Sequence, residues 1–249
     1  MPNIRIIPVL LLHKGGLYKT VRFKNPVYVG DPINTVRIFN EKEADELILL
    51  DYRATREKSS IDFPLIQSIA GEAFMPMAYG GGIRSFEDAK RVFDAGYEKV
   101  ILNSVLFDNP SLIREIGDVY GVQAVVASVD VGKDFLGRYR VYSQSGRKNE
   151  GMSPEEWIEK IENYGIGEIF VNDMNRDGTW QGYNLDLIRS LSGRVSAPLV
   201  ACGGAGSVED LKLAVEAGAS AVAAGSMFVF QKKGMGVLIS FPANLKIQN

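Results

Sequence analysis

Cysteine and histidine are almost missing from this 249-residue chain, which holds one of each, Cys202 and His13. A lone cysteine excludes an internal disulfide and fits a reducing compartment. No metal-ligand spacing is present anywhere in the chain, and no metal and no cofactor is expected. No catalytic histidine is available beside Cys202, which therefore reads as a small packing residue. Charge of one sign is lacking too. Lys and Arg total 28 against 30 Asp and Glu, a net charge of −2, so no overall basic field attracts nucleic acid. No apolar run reaches membrane-spanning length. The opening Met1-Pro2-Asn3-Ile4-Arg5 lacks the charged and long apolar regions of a signal peptide. The expectation is a soluble, cytoplasmic protein with neither a nucleic-acid nor a membrane partner.

What the chain does contain, it contains twice. Gly80-Gly81-Gly82-Ile83-Arg84-Ser85 returns as Gly203-Gly204-Ala205-Gly206-Ser207, 122 residues later. At the same offset Ser85-x-x-Asp88 matches Ser207-x-x-Asp210, Ala95-Gly96 matches Ala217-Gly218, Ser104 matches Ser226, and Asp51 matches Asp173. Each glycine turn follows an apolar run and precedes a serine able to N-cap a helix, with Asp three residues on to complete a capping box. Glycine allows close backbone approach, and a helix N-terminus offers free N–H groups to an anion. Two such elements point to two phosphate sites; the plainer alternative is two tight strand-to-helix turns with nothing bound.

Apolar runs of strand length alternate with helical patterns throughout. Strands are expected at 4–11, 46–51, 75–79, 99–103, 123–130, 168–173, 198–202 and 220–224. Helices are expected at 32–44, 59–70, 86–95, 110–120, 154–164 behind a Ser153 cap, 184–191 and 208–217. Residues 13–31 read as a loop and 134–143 as a small hairpin. Eight buried strands, each followed by a helix or its remnant, imply a parallel sheet covered by helices. Eight units in about 250 residues fit one (β/α)8 TIM barrel, and twofold repetition favours closure. The expectation is an α/β chain with a single domain over 1–249, half-barrels at about 1–121 and 122–230, and a short tail at 231–249.

Chemistry in such a barrel sits where strands end. Asp51, Asp130 and Asp173 are expected to point carboxylates into one mouth, as general acids or bases or, more plainly, as helix caps and partners of loop lysines. His13 lies on the first loop. At the strand starts stand Arg5, Glu46, Lys99 and Glu168, whose alternating charges would meet as a ring at the barrel's bottom. Such a ring can be a structural plug of paired charges or a gate.

Arg5-Ile6-Ile7-Pro8, Leu50-Asp51, Gly80-Gly81-Gly82-Ile83-Arg84, Asn103-Ser104, Ser145-Gly146, Arg176-Asp177-Gly178-Thr179, Gly203-Gly204-Ala205-Gly206 and Gly225-Ser226 together resemble the cyclase subunit of imidazole glycerol phosphate synthase. The match runs from residue 1 to about 230. The resemblance implies a duplicated half-barrel that binds a phosphorylated small molecule with a phosphate at each end. It also implies a heterodimer with a glutaminase subunit at the barrel's bottom, whose ammonia enters a charged gate and travels to the mouth. Arg5, Glu46, Lys99 and Glu168 fall on the gate positions, and Glu98 on one near the glutaminase. Lys19 falls on the substrate-contacting lysine. Gly82 and Asn103 fall on one phosphate site, and Asp177, Gly178, Gly204 and Ser226 on the other. Asp130 falls on one of two catalytic acids.

The second catalytic acid should close the first strand, and that position is Leu11, in an apolar Leu10-Leu11-Leu12. Leucine cannot transfer a proton, and losing one of a cooperating acid–base pair costs orders of magnitude in rate. A preserved ring beside a missing acid resembles a paralogous branch of the family found with surface-polysaccharide genes. That likeness implies ammonia delivery to a third, amidating protein acting on a nucleotide sugar. The alternatives are a working cyclase of histidine biosynthesis, relying on Asp130 alone or with Asp51, and a non-enzymatic regulator that binds a phosphorylated metabolite.

Overall fold

A computed structural model describes residues 3–242 and 247–248. The expected tail, 231–249, therefore lies partly outside the described residues, as do Met1 and Pro2. In chain order the elements are β1 (Asn3–His13), β2 (Gly16–Val21), β3 (Lys24–Gly30), α1 (Pro32–Glu41), β4 (Leu47–Asp51), α2 (Ala54–Glu57), α3 (Phe63–Ala70), β5 (Met77–Gly80), α4 (Phe86–Asp94), β6 (Lys99–Leu102), α5 (Val105–Asp108) and α6 (Leu112–Tyr120). Then come β7 (Val125–Lys133), β8 (Tyr139–Ser143), β9 (Lys148–Asn149), α7 (Pro154–Glu162), β10 (Glu168–Asp173), α8 (Leu185–Ser192), β11 (Leu199–Cys202), α9 (Val208–Glu216), β12 (Ala221–Ala224), α10 (Ser226–Val229) and β13 (Ile247–Gln248).

Eight parallel strands close on themselves in the order β1-β4-β5-β6-β7-β10-β11-β12, with β12 pairing back to β1. This is a (β/α)8 TIM barrel. The closed sheet separates two apolar bodies, because successive side chains on a strand face opposite ways. Ile4, Ile6, Leu10 and Leu12 face the surrounding helices, while Ile7, Val9 and Leu11 face inward. The interior is filled by Ile48, Ala78, Ile101, Val126, Phe170 and Val200 among others. A filled interior is what eight strands permit.

The duplication is visible in backbone geometry. Ser85 caps α4 at φ −143°, ψ 165°, and Ser207 caps α9 at φ −148°, ψ 163°, each in a complete capping box with Asp88 or Asp210. Asp51 accepts hydrogen bonds from the N–H groups of Arg53 and Ala54, two and three residues on. Asp173 does the same with Asn175 and Arg176.

The first loop departs from expectation. Residues 13–31 form an antiparallel extension, β1-β2-β3, that leans over the mouth as a flap. Its tight turn, with Val21 opposite Lys24, places Arg22 at φ 51° and Phe23 at φ 60°. A turn of this hand normally uses Asn-Gly or Asp-Gly, so the sequence carried no hairpin signal. The hairpin expected at 134–143 is present as β7 and β8, and a third short strand, β9, joins it.

Candidate functional site

The inward positions of the barrel stack into columns. One runs Arg5, Ile7, Val9, Leu11; others run Glu46, Ile48, Leu50 and Lys99, Ile101, Asn103; another runs Glu168, Phe170, Asn172. Read from the bottom, the columns give a charged tier, an apolar middle and a mouth of mixed polarity.

In the charged tier each cation touches both acids. Arg5 donates to Glu46 and Glu168 at 2.5 Å each, and Lys99 Nζ lies 3.0 Å from Glu46 and 3.2 Å from Glu168. The four groups therefore form one closed ring with no net charge. Burial alone would pull the Arg5 guanidinium's pKa down, but Glu168 and Glu46 more than offset that and hold it up. Glu98, immediately before Lys99, is exposed on this face.

The mouth opens into a cavity of about 510 Å³. Leu11 lines it, packed with Leu50 against the apolar interior, so the leucine stands where the inner column meets the cavity. Asp130, Asn172 and Cys202 are register partners on adjacent strands and form one tier of its wall. Asp130 accepts a hydrogen bond from Asn103 Nδ2 at 3.3 Å. Burial, reinforced by the nearby Asp177, pushes its carboxyl up to about 7. A carboxyl poised there can hold or release a proton near neutral pH. Burial drives the Cys202 thiol up, which makes it inert and agrees with a packing role.

The three expected mouth carboxylates separate. Asp51 lines the cavity with one carboxylate oxygen, Oδ1, taken by the N–H groups of Arg53 and Ala54 in its own loop, and burial raises its pKa against the pull of those two bonds. Asp173 does not enter the mouth. It follows Asn172 on the strand, so it faces outward, where it accepts from Asn184 Nδ2 at 2.9 Å. His13 sits edge-on to Tyr18 and Tyr52 and 4.0 Å from Glu57, outside the cavity wall.

The two glycine turns also differ in access. Gly80, Gly81 and Gly82 open onto the cavity beside Asn103 and Ser104. Gly178, Gly204 and Ser226 do not line it. The flap covers their side of the mouth: Lys19 is buried and bonds Asp177 at 2.8 Å, and Arg22 N–H donates to the Asp177 carbonyl. A Cβ on Gly178, at φ 71°, would lie 2.5 Å from the Thr20 carbonyl oxygen, so only glycine lets the flap dock this closely. Sequence reasoning missed Phe23 in the flap's turn, Tyr52 and Arg56 in the segment after β4, and Arg147 in the loop after β8, all of which line the cavity. Nothing in their spacing marks them; only the fold brings the flap, the loop after β4 and the loop after β8 together.

The model of a family described as histidine biosynthesis protein matches residues 5–233. A Pseudomonas aeruginosa protein provisionally named imidazole glycerol phosphate synthase subunit hisF2 is 50% identical over 243 residues, 97% of each chain. A Vibrio vulnificus protein provisionally named subunit hisF3 of the same synthase is 44% identical over 245 residues, 98% of this chain and 94% of that one. The imidazole glycerol phosphate synthase subunit HisF of Alkaliphilus metalliredigens is 38% identical over 229 residues, 92% of this chain and 91% of that one.

Proposed function

The chain belongs to the histidine biosynthesis protein family, as a relative of the HisF subunit of imidazole glycerol phosphate synthase, and from that membership we propose a role as an ammonia-accepting subunit. In this reading a glutaminase subunit docks on the ring face as a heterodimer in the cytoplasm. Its ammonia passes the Arg5–Glu46–Lys99–Glu168 ring, crosses the apolar interior and leaves at the mouth. Neutral ammonia tolerates an apolar interior that would exclude the ammonium ion, because burying an unpaired charge is far more costly.

The observation that carries the reading is the inner column of β1. Its lower end keeps Arg5 in a fully paired ring, and its upper end, at the cavity, is Leu11. The conduit's features remain while one of two proton-transferring acids is gone. Exposed Phe74, in the loop before β5, and Val122, in a single 3-10 turn before β7, lie at the strand-start end and suit a docked protein better than water. The ammonia is then used by a third, amidating protein on a nucleotide sugar for a surface glycan. The test is glutamate release by the cognate glutaminase with and without this barrel. Stimulation is expected, and its absence under every substrate condition would sink the reading.

A second reading is a working cyclase. Asp130 favours it, since its carboxyl near 7 in a cavity of ligand size is suited to proton transfer.

A further inference from the structure

The hairpin of β7 and β8 projects from the mouth as a braced arm. β7 leaves the cavity wall at Asp130 and runs to Lys133, which pairs with Tyr139. Three residues of strand at about 3.3 Å each carry the connecting turn about 10 Å past Asp130. Asp134 fixes that turn. One of its carboxylate oxygens accepts from the N–H groups of Leu136 at 2.8 Å and Arg138 at 3.0 Å, and the other pairs with Arg138 at 3.0 Å and Arg140 at 3.4 Å. Asp134 N–H also donates to the Arg138 carbonyl at 2.9 Å. What this fixed turn presents to solvent is apolar: Phe135 is 93% exposed and Leu136 59%. The arm is tied to the flap through one residue. Lys133 N–H donates to Asn175 Oδ1 at 2.9 Å, and Arg22 Nε donates to the Asn175 carbonyl at 3.0 Å.

The surroundings of this apolar knob are basic. Residues 22–24 of the flap, 133–140 of the hairpin and 147–150 after β8 hold seven cations against two acids, in a chain whose net charge is −2. Arg22, Lys24 and Arg147 among them border the mouth cavity. The acids of the cavity wall do not offset this outer rim: Asp130 and Asp177 are buried, and Asp51 is half-buried with Oδ1 on its own loop's N–H groups. An aromatic side chain on a preorganised turn is the kind of group that anchors a protein interface, since little freedom is lost when it is covered. A basic rim around it calls for an acidic surface. A second copy docked by the same face would set one cation excess against another. An anionic lipid surface would answer both features but would cover the cavity from which ammonia leaves. We propose that Phe135 and Leu136 dock in an apolar pocket within an acidic surface of the ammonia-consuming protein, so that the mouth opens directly onto it. The proposal rests on the conduit reading and assigns a seat to that reading's third protein.

The test combines the full chain, its cognate glutaminase and the purified amidating protein, and follows glutamate and amidated product together. Both side chains are exposed, so the double variant F135S/L136S should fold normally. It should stimulate glutamate release as wild type does, while amidated product per glutamate falls at least fivefold and is restored by added ammonium salt. In isothermal titration against the amidating protein the variant should bind at least tenfold more weakly, and wild-type affinity should fall as salt is raised. Unchanged affinity and unchanged product per glutamate in the variant would overturn the proposal. So would a wild-type dimer in sedimentation equilibrium that the variant lacks, which would give the tip to a second copy. Wild-type sedimentation with phosphatidylcholine–phosphatidylglycerol vesicles, lost in the variant, would give it to a membrane and overturn the proposal as well. Failure of the conduit reading registers separately, as a wild-type barrel that does not stimulate glutamate release.

Discussion

Asp130→Asn tests the electrostatics of the mouth directly. The folded carboxyl titrates at about 7, against an ordinary value of 3.8, because burial penalises its charge. Between about pH 4 and pH 7 the folded chain keeps a proton that the unfolded chain has released. Stability therefore falls as pH rises through that window and levels off above it. The displacement is about three pH units, and each is worth 1.36 kcal/mol, so ionising Asp130 costs the fold about 4 kcal/mol above pH 7. Asparagine keeps the shape without the charge. Urea denaturation of wild type and variant at pH 4.5 and pH 8 isolates the effect, since other titrating groups cancel in the difference. The two proteins should have similar stability at pH 4.5, and the variant should be more stable by up to about 4 kcal/mol at pH 8. A difference that does not change with pH would show that Asp130 is solvated and that its role as a poised acid is wrong.

Lys99→Ala should cost only about 1–2 kcal/mol in denaturation, because Arg5 still contacts both Glu46 and Glu168, whereas stranding a buried charge costs about 3–5 kcal/mol. The same variant should uncouple ammonia delivery from glutamine hydrolysis; full coupling would make the ring purely structural. Gly178→Ala should undock the flap, with faster proteolysis between β2 and β3 and a loss of about 1–2 kcal/mol, since φ 71° and the Thr20 carbonyl both oppose a Cβ. Wild-type protease resistance would show that the flap is not held there.

The barrel was readable because its signals are local and repeated. Buried strands appear as short apolar runs, and Ser85-x-x-Asp88 and Ser207-x-x-Asp210 announce helix starts in the order the capping box requires. The ring was readable as well, since charges at strand starts on inward positions of a closed barrel have nowhere to go but toward each other. The flap was not, because Arg22 and Phe23 make a left-handed turn without the glycine that advertises one. The direction of Asp173 was lost to a shift of a single residue: Asn172 takes the inward place, and one step along a strand changes face. Arg56 and Arg147 at the mouth were invisible for a different reason. They lie on segments far apart in the sequence, and only closure of the barrel brings them to one cavity.

The central claim is that Leu11 has removed cyclase chemistry from a mouth that still receives ammonia. Cyclase turnover of wild type beside Leu11→Asp, with the phosphorylated cyclase substrate and ammonium salt, tests it most directly. No turnover by wild type, with activity gained by the aspartate variant, is the predicted result. Turnover by wild type at a rate the variant does not exceed would contradict the account and make this chain a working cyclase.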